Sequence, residues 1–131
     1  MSTRTERAEA IRAHIAAILQ ADPSTAPYTV TTDARDLDKR GAGKAGAIVL
    51  VAPGPRFEFP TGGVTRLEWS VFVVANPGAA VEIWEPVDAV MDALIASRLN
   101  LVTAEPGEYA RPDPAPPMTG YIVTIRDDYL N

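Results

Sequence analysis

The stretch that decides the fold is residues 47–75, which read AIVLVAPGPRFEFPTGGVTRLEWSVFVVA. Its first part, 47–52, is apolar on both faces, which is typical of a central strand covered on two sides. Residues 56–59 then alternate between polar and apolar side chains, and 60–63 supply Pro and Gly turn chemistry before the β-branched run 64–75. We therefore predict a buried strand followed by a β-hairpin.

Helical periodicity flanks this stretch on both sides. Apolar residues recur at three- and four-residue steps in two segments, which are Ala8, Ile11, Ile15, Ile18 and Leu19, and then Trp84, Val87, Met91, Leu94, Ile95 and Leu99. Each set forms the apolar stripe of an amphipathic helix, and the second helix is expected over residues 82–98. Further strands are predicted at 28–31, at 101–110 with an interruption at Pro106 and Gly107, and at 121–125.

This order of elements predicts an α+β fold. The sheet is expected to be mostly antiparallel or mixed, with two main amphipathic helices packed on it. A chain of 131 residues has room for one such domain, over residues 1–131.

Two segments lack the periodicity of a helix or strand. Residues 33–46 are charged and then rich in glycine, which indicates a mobile loop; it either orders on a neighbouring subunit or stays a solvated surface loop. Residues 111–117 hold four prolines and are expected to form an extended, polyproline-like connector, although a similar stretch is also a ligand of groove-type recognition domains.

The composition excludes several kinds of site. With 12 Lys and Arg against 17 Asp and Glu, the net charge is −5, which argues against a dedicated nucleic-acid binder. The absence of Cys excludes disulfides and thiol nucleophiles, and the single His14 excludes a histidine metal cluster. The longest apolar run, 47–52, is far shorter than a membrane span, so we expect no membrane partner.

Three patterns in the sequence could indicate a ligand-binding or catalytic site. Residues 41–46 match G-x-G-x-x-G, but they lead into a strand, whereas a dinucleotide site needs the motif to open a helix. Glu85, Asp88 and Asp92 are expected to form a solvated acidic face, and His14 to lie at the surface beside an apolar stripe. We therefore predict no enzyme, no cofactor and no metal; a small-ligand-binding domain that uses the loop from Gly41 to Gly46 stays open as the alternative.

The layout of the chain resembles the tail terminator proteins of long-tailed, non-contractile bacteriophages of the siphovirus type. The resemblance covers nearly the whole chain. Its parts are an amphipathic helix at 7–19, a buried strand ending in Pro53-Gly54-Pro55, the hairpin at 56–69, the helix at 84–99, and Pro116-Pro117-Met118 leading into the closing strand 121–125.

The resemblance implies a structural virion protein without catalytic residues. It implies a homo-oligomeric ring, usually of six subunits, that caps the tail tube, stops its polymerisation and joins the tail to the head. Its expected partners are the tail tube protein and a head-completion or neck protein, with genomic DNA passing through the lumen without specific binding. The expected location is the head-proximal end of the tail in the virion, and the host cytoplasm during assembly.

Neighbouring classes of virion protein share this layout, so a head-closure or neck protein and a tail tube subunit remain alternatives. We expect contacts between subunits, or with the tube, at charged residues of the 33–46 segment and of the hairpin. These residues are Arg35, Asp36, Asp38, Lys39, Arg40, Arg56 and Glu58.

Overall fold

A computed structural model describes residues 3–97 and 99–130, and gives them three helices, one short 3-10 turn and six strands. In chain order the elements are α1 (Thr3–Gln20), β1 (Thr29–Thr31), α2 (Arg35–Arg40), the 3-10 turn (Gly43–Ala45), β2 (Ala47–Val51), β3 (Arg56–Glu58), β4 (Val64–Ala75), α3 (Ala80–Ala96), β5 (Leu101–Tyr109) and β6 (Met118–Leu130). The predicted α+β class is confirmed.

The strands form one sheet in the order β1-β2-β4-β6-β5. Only β1 and β2 pair in parallel, and the remaining pairs are antiparallel. The central strand β4 pairs with β6 along its whole length, from Val64 to Ala75. Its other edge is therefore shared by β2, which pairs with the end of β4, and by β3, which pairs with its beginning.

The predicted hairpin is present. Arg56 lies opposite Glu68 and Glu58 lies opposite Arg66, so β3 and β4 pair antiparallel across the turn. Gly63 has a φ of 81°, a conformation that favours glycine, at the end of that turn. All five residues of β2 are buried, as expected for a strand covered on both faces.

The main core lies between one face of the sheet and the helices α1 and α3. Ile15 and Leu19 of α1, Leu94 of α3, and Trp69 and Val71 of β4 are fully buried there. Complete burial of an aliphatic side chain contributes about 2 kcal/mol, so the buried members of the two predicted apolar stripes supply much of the stability of the fold. Ile95 was predicted in the second stripe, but it is 66% exposed and does not join the core.

The other face of the sheet is covered at one end, and here the prediction for residues 33–46 was wrong. This segment contains helix α2 and the 3-10 turn, where a loop was expected. Leu37 of α2 is fully buried in a second apolar cluster with Ile48, Leu50, Val74 and Met118. A helix of six residues with one buried side chain shows no periodicity, so its tertiary contacts were invisible in the sequence.

Other segments also differ from their predicted conformation or bounds. In residues 111–117 the amide of Ala115 donates to the carbonyl of Pro112 at 3.1 Å, so this connector turns and is not extended. β5 continues through Pro106, because an edge strand can lack one ladder donor. β6 begins at Met118 and reaches Leu130, because polar residues such as Arg126 and Asp127 still pair with β4.

Candidate functional site

The β3–β4 hairpin projects past the rest of the sheet. β2 reaches only Val71 of β4, and β5 reaches only Ile125 of β6. Residues 64–68 of β4 therefore have only β3 and β6 beside them. We call residues 56–68 the hairpin arm, which extends together with the end of β6 past β2 and β5.

One face of the hairpin arm carries a network of alternating charges. Arg56 pairs with Glu58 and lies 3.4 Å from the Glu68 carboxylate, and Arg66 lies 3.8 Å from Glu58. Arg126 of β6 approaches the same Glu68 at 3.6 Å. The Glu68 side chain is only 14% exposed and lies between Arg56 and Arg126. The network holds the arm in register where no helix covers this face.

The other face of the hairpin arm carries two aromatic side chains. Phe57 is 49% exposed and Phe59 is 67% exposed. Their ring centroids are 6.4 Å apart at an interplanar angle of 77°, an edge-to-face pair. Side chains alternate along a strand, so this pair lies opposite the charged face of Arg56 and Glu58. This aromatic pair is therefore exposed to solvent on the face of the arm opposite the charges.

A different exposed surface lies at the opposite edge of the sheet, along β5. In the described part of the chain β5 pairs only with β6, so its outer edge has no partner strand. Residues 102–106 are all exposed, and Val102 is among the exposed large apolar side chains at 38%. Glu105 and Glu108 give this edge a negative charge, and the sequence has no Lys or Arg from Leu99 to Ala110. We call residues 102–106 the open edge.

The predicted contact residues of the 33–46 segment lie mainly on α2, and two of them hold that helix in place. Asp36 accepts a hydrogen bond from the Thr31 hydroxyl at 2.7 Å, and Asp38 accepts one from the Tyr109 hydroxyl at 3.0 Å. Burial raises the pKa of Tyr109, and the hydrogen bond to Asp38 raises it further. Two of the predicted contact carboxylates therefore bind within the subunit.

The remaining predicted residues of this segment point outward or lie outside the described side chains. Arg35 is 79% exposed and pairs with Asp33 at 2.8 Å. This contact lowers the pKa of Asp33, through the side-chain hydrogen bond first. Lys39 is exposed, and the side chain of Arg40 lies outside the described residues. Among the described side chains of α2, Arg35 and Lys39 are the cations exposed to solvent.

The structure does not bring the two predicted groups together. Leu37 of α2 packs against Val74, whereas Arg56 pairs opposite Glu68, six residues earlier on β4. At about 3.3 Å per residue, this places the two groups roughly 20 Å apart along the strand. They belong to two surfaces and cannot form one site.

The glycine motif at residues 41–46 forms hydrogen bonds within the subunit, to Asn76. The amide of Ala42 donates to Oδ1 of Asn76 at 2.8 Å, and Nδ2 of Asn76 donates to the carbonyl of Gly43 at 2.9 Å. A surface cavity of about 260 Å³ lies beside it, and the Asp36 side chain is among its lining residues. A carboxylate beside the loop disfavours a phosphate at this cavity.

Other candidate chemistry has no assembled site in the described residues. Glu85, Asp88 and Asp92 are exposed on α3, as expected of a solvated face, and His14 is exposed on α1. Within residues 3–97 and 99–130, no group of three His, Cys, Asp or Glu side chains is placed to hold a metal ion. None of the described helices is long and apolar enough to cross a membrane.

Sequence reasoning identified Arg56 and Glu58 but missed the side chains that complete the surface. Glu68, Arg66 and Arg126 join the network only through strand register, which pairs Arg56 with Glu68 and Glu58 with Arg66 and has no local signal in the sequence. The exposure of Phe57 and Phe59 had one local signal, namely that both lie next to the predicted turn.

Comparison with protein families and with curated proteins identifies no relative of this chain. No protein-family model matches the chain, and no curated protein sequence matches it.

Proposed function

We propose that this chain is a structural assembly protein that closes into a homo-oligomeric ring, and that the ring caps a phage tail tube as a tail terminator. The observation that carries the proposal is the pair of unlike surfaces on opposite sides of one sheet, the hairpin arm and the open edge. Two different surfaces on each subunit make head-to-tail contacts, and such contacts produce rings when the rotation closes.

The proposed terminating role requires a ring whose two faces differ. A growing tube repeats one contact between successive layers, so a cap must match the last layer on one side and differ on the other. A subunit with helices α1 and α3 on one sheet face and the short α2 on the other has two chemically different faces. The layout resemblance to tail terminators supports the same role, with six subunits and a neck protein on the head side.

The test is assembly of the purified chain, alone and with tail tubes. We expect light scattering and electron microscopy to show closed rings, and tubes mixed with the chain to stop growing and carry the ring at one end. Filaments formed by the chain alone would identify a tube subunit. Binding to filled heads but not to tubes would identify a neck protein. A monomer in every condition would contradict the proposal.

A further inference from the structure

We draw no further inference here: the strongest candidate, the exposed acidic stripe of α3 that has Val81 and Ile95 at its two ends, carries no proposal because nothing in the structure shows what covers it.

Discussion

At the scale of single residues, Gly120 of β6 is the glycine with the least space for a side chain. It lies opposite Val74 of β4, and a Cβ at this position would overlap the carbonyl oxygen of Val73. That carbonyl is backbone of the central strand, so it cannot turn away as a side chain would. Only glycine fits here, and β4 and β6 form the most extensive strand pair of the sheet.

We predict that Gly120→Ala destabilises the fold by about 3 kcal/mol or more, because the added methyl forces β4 and β6 apart. The measurement is urea unfolding followed by the fluorescence of buried Trp69. Gly107→Ala is the matched control, since Gly107 pairs with Gly120 across β5 and β6, and its Cβ would meet only the end of the Ile122 side chain at 2.7 Å. Equal losses of stability in both variants would contradict this reading.

Tyr109 gives a pH dependence with a definite sign. Burial and the hydrogen bond to Asp38 raise its pKa above the ordinary value of 10.0, so the folded state holds the phenol proton more tightly than the unfolded state. This contribution to stability is complete below pH 10.0 and is lost as the pH rises through the folded pKa. Base should therefore weaken the attachment of α2 to β5.

We predict that Tyr109→Phe lowers the free energy of unfolding by about 1 kcal/mol at neutral pH, through loss of this hydrogen bond. The variant should also lose less stability than the wild type above pH 10.0. Urea unfolding across this pH range is the measurement. Asp38→Asn, which keeps an acceptor but removes the charge, should fall between the two. An alkaline slope identical in wild type and Tyr109→Phe would show that Tyr109 does not carry the effect.

At the scale of elements, α2 depends on one apolar anchor. Leu37 is fully buried against Ile48 and Met118, whereas Lys39 of the same helix is exposed. We predict that Leu37→Ala costs about 3 kcal/mol and makes residues 33–46 sensitive to protease, because Leu37 is the one buried side chain among those described on this helix. Lys39→Ala should change neither quantity. Resistance of Leu37→Ala to protease would mean that Asp36 and Asp38 are enough to hold the helix.

The contrast between α2 and the hairpin shows which elements a sequence reveals. The hairpin follows from local signals, since Pro60 and Gly63 mark the turn and the residues on either side alternate. Helix α2 depends on Leu37 meeting Met118, about eighty residues away in the chain, and such contacts leave no local pattern. The candidate site shows the same contrast. The sequence predicts Arg56 and Glu58 as exposed charges, but Arg126 joins their network only through the register of β6 with β4.

At the scale of the whole molecule, the arrangement of charge bears on contact with DNA. Many of the described arginines are already neutralised by a carboxylate within the subunit; these are Arg7, Arg12, Arg35, Arg56, Arg66 and Arg126. Exposed carboxylates on α3, at Glu82, Glu85, Asp88 and Asp92, have no such compensation along that helix. A phosphate backbone would therefore meet several arginines that are already paired and a helix face of carboxylates.

We predict that the purified chain does not retard duplex DNA in a gel at moderate salt, because a net charge of −5 gives no counterion release to drive binding. The control is a variant with Glu82, Glu85, Asp88 and Asp92 changed to Lys, each changing the charge by two, which brings the total from −5 to +3. This variant should retard DNA in a salt-dependent way, since its new cations lie exposed on one helix. Tight retardation by the wild type would mean that a basic surface forms on assembly, and DNA would then bind the ring and not slide through it.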